Sequence, residues 1–517
     1  STEIGIAGLP PMGGAPKLQH KVFHGPMAMT PDGVKFCAYY MISTLDLSDF
    51  PEVAEKVKDV FGDNEALVIK TTMGLSGPKS IEIEVPAATY SMPGPGGQMT
   101  FDFGGIEGIM TDYFAFNFEE TTGKIDIDVK KLTVSAEDGT KFQFDGATMT
   151  SEATNARGEL LLAGTGSVVV PSITMSSEGQ TFRMKGFTVE SNQSENGGSI
   201  SADGSISFDE ITVPPIFGGD EVVLKDAALK FGFNGLSVEA IEKLMAVQKE
   251  MVESGGVQGF MGDSTELFGP LFELIQPGAG AKFEAGLGLF EMGPVKVVDA
   301  KVTYEIGEKD GNVGASNSYS VASVSLPDSP DMAPFQEMLA DGASVSTEIH
   351  GLSTAAIQEL IGQGRTVLEA TMSGEFNGSG PDEETMMKSA MDIIQKGTGF
   401  GVTAKLGDNS ADLLVNYASS ESLMELKTLK DLVSALAGHL EVKVDRSLIP
   451  PDANDFFAPL VEQKFIIEGP DFYSTSIKLD NGNLNFNGNE IKAEEFLGPG
   501  ANQPLPWAMR GSSPPVF

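Results

Sequence analysis

The first half of the chain alternates between apolar and polar residues at period two. Lys124-Ile125-Asp126-Ile127-Asp128-Val129 is the cleanest instance and predicts a strand with one buried and one wet face. The same pattern predicts strands at 66–73, 80–91, 98–103, 113–119, 124–135, 140–149, 158–163, 166–175, 180–190, 198–208 and 221–234. Turn signals such as Glu137-Asp138-Gly139, Ser177-Glu178-Gly179 and Ala202-Asp203-Gly204 fall between or near these runs. A strand pair within 21–50 comes first. A short helix at 51–61 follows it, with Pro51 in its first turn and Asp49 as its cap.

At Leu236 the period changes to that of a helix. Val238, Ile241, Leu244, Met245, Gln248 and Val252 share one helical face, and Ser237 is a good N-cap. A second helix is expected at 264–276, then strands at 281–291, 295–306 and 316–326. The order then restarts with strand 343–350, helices 353–370 and 382–396, and strands 400–406 and 411–418. Helix 420–437 leads to strand 438–446, helix 453–464 and strands 472–479 and 483–488.

This restart is an internal duplication. Gly235-Leu236-Ser237 is answered by Gly351-Leu352-Ser353, and Ile275-Gln276-Pro277-Gly278 by Ile394-Gln395-Lys396-Gly397. Self-similarity at a near-constant spacing marks one supersecondary unit used twice. The expected class is α+β. It is mostly antiparallel β, as a meander, curved sheet or sandwich, with repeated strand–helix–helix–hairpin units in the C-terminal half. The expected divisions are an extended tail (1–20), a β-rich domain (21–225), two α+β repeats (226–326 and 327–419), a partial third (420–492) and a Pro/Gly-rich tail (493–517). The repeat helices are expected to cover one face of the sheet.

Charge narrows the partners. Against 34 basic residues stand 73 acidic ones, a net charge of −39, which repels nucleic acid and anionic headgroups. Such a surface is chiefly solvated; it would attract cations, Ca2+ among them, or a basic partner, and no cofactor is expected. A single cysteine, Cys37, excludes an intrachain disulfide and, in an apolar run, reads as inert core. No apolar run is long enough to span a membrane. The start at Ser1 is read as a removed leader or a trimmed chain. Neither terminal segment is expected to form a core. Docking of the tails on neighbouring subunits would use Ile4 and Ile6 at one end and Pro504, Pro506, Trp507 and Phe517 at the other.

Several segments follow one another in a familiar order. They are His24-Gly25-Pro26, Val60-Phe61-Gly62, Thr72-Met73-Gly74-Leu75-Ser76-Gly77, Leu460-Val461-Glu462-Gln463, Tyr473 and the run Lys478-Leu479-Asp480-Asn481-Gly482-Asn483-Leu484-Asn485-Phe486-Asn487-Gly488. This order, across 21–490, resembles the YdgA-like family of bacterial envelope proteins, which has no established biochemical function. The resemblance implies a periplasmic protein held by an N-terminal membrane helix. That helix is missing here, so maturation by cleavage and release is expected. It implies no catalytic residues.

The residues themselves offer little chemistry. His20 and His24 are four apart, but Gly25-Pro26 opposes a helix there, so His24-Gly25-Pro26 reads as a turn rather than a metal site. His350 precedes the second Gly-Leu-Ser where the first copy has Asn234, and reads as a structural hydrogen-bonding position. Gly94-Pro95-Gly96-Gly97 and Phe217-Gly218-Gly219 lack phosphate-loop context and read as turns. Asp480-Asn481-Gly482-Asn483 lacks the downstream Glu of a calcium loop and reads as a type I′ hairpin. Met245, Met251, Met386, Met387 and Met391 lie on predicted helices and read as core, or as lining a groove between helices and sheet. The expectation is a non-catalytic secreted or periplasmic envelope protein that acts by self-assembly into an oligomer or polymer. The alternative is a carrier of lipid or another apolar ligand.

Overall fold

A computed structural model of the chain describes residues 17–509 except 25–27, 32, 36–38, 49, 63–64, 75–76, 95–96, 112–122, 158–159, 216–218, 254–274, 328–332, 373–382 and 450–453. Two compact units divide it, Ser1–Lys230 and Phe231–Phe517. The predicted strand 113–119, the cap Asp49, Cys37 and the tail residues Ile4, Ile6 and Phe517 lie outside the described residues.

In the first unit, strand Lys17–His24 pairs with Tyr39–Asp46, so residues 17–20 of the expected tail belong to the sheet. Neighbours then follow in the order Val68–Gly74, Gly77–Val85, Ile106–Thr111, Gly123–Val129, Ala147–Arg157, Leu160–Ser177, Gln180–Asn196 and Ser199–Val213, every pair antiparallel. A branch of Ala88–Gly94, Gly97–Phe103, Leu132–Ala136 and Lys141–Phe144 joins the far end of Leu160–Ser177.

The branch arises because successive strands break at one level. Two residues leave the ladder between Val85 and Ala88, Phe103 and Ile106, Val129 and Leu132, and Phe144 and Ala147. Gly105 (φ 98°) and Gly146 (φ 96°) sit at these breaks. A Cβ on Gly105 would lie 2.6 Å from Val85 O, and one on Gly146 2.6 Å from Val129 O, so only glycine fits. Hydrogen bonds still cross the break, with Gly104 N–H donating to Lys131 O at 2.8 Å and Lys130 N–H to Gly105 O at 2.9 Å. Extra residues of this kind bend strands and sharpen twist, so their alignment creases the sheet.

The crease corrects the sequence reading. The expected single strand 124–135 is two strands that meet at Lys130-Lys131. Conversely, 158–163 and 166–175 are one strand, because Gly164 and Gly166 stay in the ladder. Ala202-Asp203-Gly204 is not a turn but lies inside Ser199–Val213, and the chain reverses at Gly197-Gly198, both at positive φ. Helix Pro51–Phe61 forms as expected, with Phe50 at its N-cap and Gly62 closing it through a hydrogen bond to Lys58 O at 2.8 Å.

The second unit is also an antiparallel meander. Its order is Ile275–Met292, Val295–Lys309, Asn312–Val321, Ala343–Ser353, Ile394–Leu406, Asn409–Tyr417, Leu436–Asp445, Phe472–Asp480, Asn483–Phe486 and Asn489–Lys492. The full strand–helix–helix–hairpin order is described once, with helices Thr354–Met372 and Glu383–Asp392. In the first copy the second helix falls on residues outside the described ones, and Ile275 already begins a strand. Repetition of the whole unit is therefore not displayed.

What recurs is the junction. Gly235 and Gly351 both take positive φ, 72° and 74°. Ala240 N–H donates to Ser237 Oγ at 3.2 Å, and Ala356 N–H to Ser353 Oγ at 3.3 Å, so each serine caps the helix that follows. Asn234 stands over Gly280 as its counterpart His350 stands over Gly399, which leaves no room for a Cβ at either glycine.

Two helices end early or break. The expected helix 382–396 stops at Asp392 because Ile394 enters the sheet. The expected helix 420–437 is replaced by a short 3-10 turn, Leu423–Glu425, and helix Leu429–Ser434. The Ser422/Glu425 and Thr428/Asp431 capping boxes each start a new segment. The Asp431 carboxyl is held below its usual range, first by the Thr428 hydroxyl and then by the amides of Thr428 and Lys427.

The C-terminal segment also departs from expectation, since it contributes to a core. Residues 493–509 form helix Ala493–Leu497, a 3-10 turn and helix Pro506–Met509. Leu505 is buried with Tyr417, Leu423, Leu426 and Ala435, and Trp507 packs on this cluster. Glycine and proline permit the tight turns, while a few apolar anchors supply the burial.

Candidate functional site

The register of the second unit sorts its side chains into two faces. Residues directly opposite in an antiparallel ladder share a face, as do residues two apart. One row runs Ala285–Val302–Tyr319–Val345–Ala404–Ala411–Val442–Thr475. The next on the same face is Phe283–Tyr304–Asn317–Thr347–Val402–Leu413–Leu440–Ile477, and the third is Ala281–Ile306–Ala315–Ile349–Phe400–Val415–Gly438–Leu479. The opposite face carries Glu284–Thr303–Ser318–Ser346–Thr403–Asp412–Glu441–Ser476. Eight strands thus separate apolar from polar residues with few exceptions.

The first unit repeats the division. Ser43–Ile69–Ile83–Gly108–Ile127–Met149–Val168–Val189–Ile206 is one row. The adjacent row on the other face is Ile42–Lys70–Glu82–Ile109–Asp126–Thr150–Ser167–Glu190–Ser205, polar but for its two isoleucines.

An apolar sheet face normally lies against another layer. Here much of it does not. Tyr319 is 52% exposed, Phe400 and Tyr304 46%, Val345 44% and Phe283 40%. Among the described residues Tyr40 is the only large side chain that is fully buried. Helix Thr354–Met372 packs chiefly against helix Glu383–Asp392, so among the described residues the expected helical cover over these positions is not seen. Strands spaced ~4.8 Å apart and residue pairs rising ~6.7 Å make the three rows a patch on the order of 500 Å². Its exposed part, carried by Phe283, Tyr304, Tyr319, Val345 and Phe400, is an apolar patch of the kind that often has a function. At its edge Ala285, Val302, Tyr319 and Val345, with Leu287, Ala300, Val321 and Ala343 of the next row, line a shallow, open depression of ≈ 400 Å³.

With this geometry in hand, comparison with protein families is informative. The family described as "Bacterial protein of unknown function (DUF945)" matches residues 8–273, just over half of the chain. The chain belongs to this bacterial family. No curated protein matches it, and neither does any solved structure. The DUF945 match agrees with the bacterial, functionally uncharacterised character implied by the sequence resemblance. It does not support the YdgA-like name, and it ends at residue 273 rather than running to 490. No helix among the described residues of this DUF945 chain is long and apolar enough to cross a membrane.

The other residues singled out in the sequence do not converge on one site. His20 Nδ1 lies 2.8 Å from Ser43 Oγ. His24 ends a strand opposite Tyr39, and Gly25-Pro26 of the expected turn lie outside the described residues. His350 Nε2 lies 3.1 Å from Asn416 Oδ1 and His439 Nε2 3.4 Å from Asp412 Oδ2, both on the polar face. No cluster of three or more potential metal ligands occurs among the described residues. Several carboxylates have a lysine beside them, such as Glu210 with Lys185 at 3.0 Å and Glu284 with Lys301 at 3.2 Å. The Lys185 contact draws the Glu210 carboxyl below its usual range. Asn481 (φ 47°) and Gly482 (φ 75°) form the two-residue turn between Asp480 and Asn483. Met391 packs on the C-terminal cluster, and Met245, Met386 and Met387 are half-buried.

Trp507 is engaged within its own chain, where its indole Nε1–H donates to Leu426 O at 2.9 Å. Pro504 bridges to Thr428, and Pro506 opens the last described helix. Sequence reasoning missed the apolar face because each strand was read singly. Its signal was available in the alternation of neighbouring strands, but the register that aligns them was not.

Proposed function

We propose that this DUF945 protein is a non-catalytic bacterial envelope protein, periplasmic or extracellular, that binds lipid or another apolar ligand on the apolar face of its sheet. One observation carries the reading: three adjacent apolar rows across eight strands, with Tyr319, Phe400, Tyr304, Val345 and Phe283 left exposed. Covering surface of this kind with apolar material is favourable, which is why such patches often mark binding sites. A face that separates apolar from polar residues over many strands suits an elongated ligand better than a compact polar one. The acidic surface supports a ligand recognised by its apolar part rather than by phosphate.

Organic extraction of the purified protein is expected to yield lipid in stoichiometric amount. Tyr319→Asp and Val345→Asp, both at exposed positions, are expected to reduce that load at least fivefold while the circular dichroism spectrum is kept. An empty extract from the wild type, or an undiminished load in both variants, would sink the proposal.

Self-assembly is the second reading, favoured by the same face, since a second copy would also cover it. Light scattering separates the two. A lipid-loaded monomer supports the ligand reading, and a lipid-free oligomer supports assembly. A mass that falls on chelation would give calcium a part in the latter.

A further inference from the structure

The apolar face has a polar interruption. Asn317 and Thr347 are directly opposite one another in its central row, and Thr347 Oγ1–H donates to Asn317 Oδ1 at 2.9 Å. That bond occupies the amide oxygen and leaves the Nδ2 hydrogens as donors. Among the described residues no acceptor is paired with Asn317 Nδ2. Tyr304 lies opposite Asn317 on the neighbouring strand, and Tyr319 lies two residues along on the same face. Both phenols are about half exposed, at 46% and 52%. The depression beside Ala285 and Val345 adjoins this group through Tyr319.

A polar pair in the middle of an apolar face is costly under a dry cover, because a buried donor left unpaired loses its water without replacement. A second copy of the chain laid face to face would impose that cost wherever its apolar side chains met the pair. A ligand that brings an acceptor to the same place would not. Resting on the apolar-ligand reading above, we infer that the ligand is an acyl lipid bearing a carbonyl, an ester or amide, which accepts a hydrogen bond from Asn317 Nδ2 while its hydrocarbon lies in the neighbouring depression. Thr347 acts through Asn317, orienting the amide by holding its oxygen. Tyrosines beside the donor suit the place where a chain turns from apolar to polar.

The test uses the full-length, delipidated chain and two probes of equal chain length, a linear alkane and a fatty-acid methyl ester, each titrated by displacement of a fluorescent fatty-acid analogue. The ester is expected to bind about tenfold more tightly, the worth of one net hydrogen bond. Asn317→Leu is expected to abolish that preference without weakening the alkane. Thr347→Val, which leaves the amide in place but unoriented, is expected to reduce it. Equal affinity for both probes in the wild type, or an ester preference that survives Asn317→Leu, overturns this inference and leaves the apolar-ligand reading standing. Binding of neither probe overturns both.

Discussion

Replacing Gly351 with alanine is expected to destabilise the second unit by about 3 kcal/mol, from the left-handed conformation imposed on a side-chain-bearing residue and from overpacking. The backbone there has φ 74°, and the new Cβ would sit 2.5 Å from Gly397 O, which cannot rotate away. Gly235 occupies the same place in the first copy, with φ 72° and a Cβ that would meet Ala279 Cα at 2.8 Å, so Gly235→Ala should act in the same direction. Gly362→Ala provides the contrast. Gly362 is exposed within helix Thr354–Met372, and a Cβ there meets nothing within 4 Å. It is expected to stabilise by about 0.5–1 kcal/mol. Urea midpoints followed by circular dichroism check both signs. A Gly351→Ala midpoint equal to that of the wild type would refute the junction account.

Trp507→Ala should cost about 3 kcal/mol, from lost packing and from leaving Leu426 O without its donor. The indole packs on the cluster of Tyr417, Leu423, Leu426, Ala435 and Leu505, and its Nε1–H donation at 2.9 Å ties the C-terminal segment to Leu426, which ends the 3-10 turn Leu423–Glu425. Trp507→Phe keeps the ring contact and should cost about 1 kcal/mol. Neither variant is expected to change the native mass measured by light scattering. A mass that drops while the melting temperature holds would instead make Trp507 an anchor between subunits. Tyr417 belongs to the same cluster: its hydroxyl donates to Glu421 O at 2.7 Å, and burial pushes its phenol pKa upward. The cluster is therefore closed by hydrogen bonds as well as by apolar contact.

Much of the secondary structure was legible in sequence because its causes are local. Lys124–Val129 alternates, Pro51 opens a helix, Asn481-Gly482 demands a tight turn, and Ser237 and Ser353 cap the helices that follow them. The recurring junction was legible too, since Gly235 and Gly351 both take positive φ where a Cβ would clash. Errors fell where a neighbouring strand decides. The expected strands 124–135 and 140–149 run unbroken through Lys130-Lys131 and Asp145-Gly146, yet each is split there, because adjoining strands break at the same level. Helix 420–437 failed for a local reason that was overlooked, two capping boxes in succession.

The candidate site was less legible. Histidines, tail residues and glycine loops drew attention as single residues, and the structure distributes them among hydrogen bonds and turns. The face that carries the proposal is built from residues as ordinary as Ala285, Val302, Val345 and Ala404. By itself the sequence determined which positions along each strand are apolar and where the chain turns, because alternation and steric demand act over a few residues. Only the tertiary structure decided that these positions stand in register across eight strands, that Asn317 meets Thr347 among them, and that Tyr319 and Phe400 stay about half exposed. Cross-strand register and layer packing are set by contacts between residues far apart in the chain.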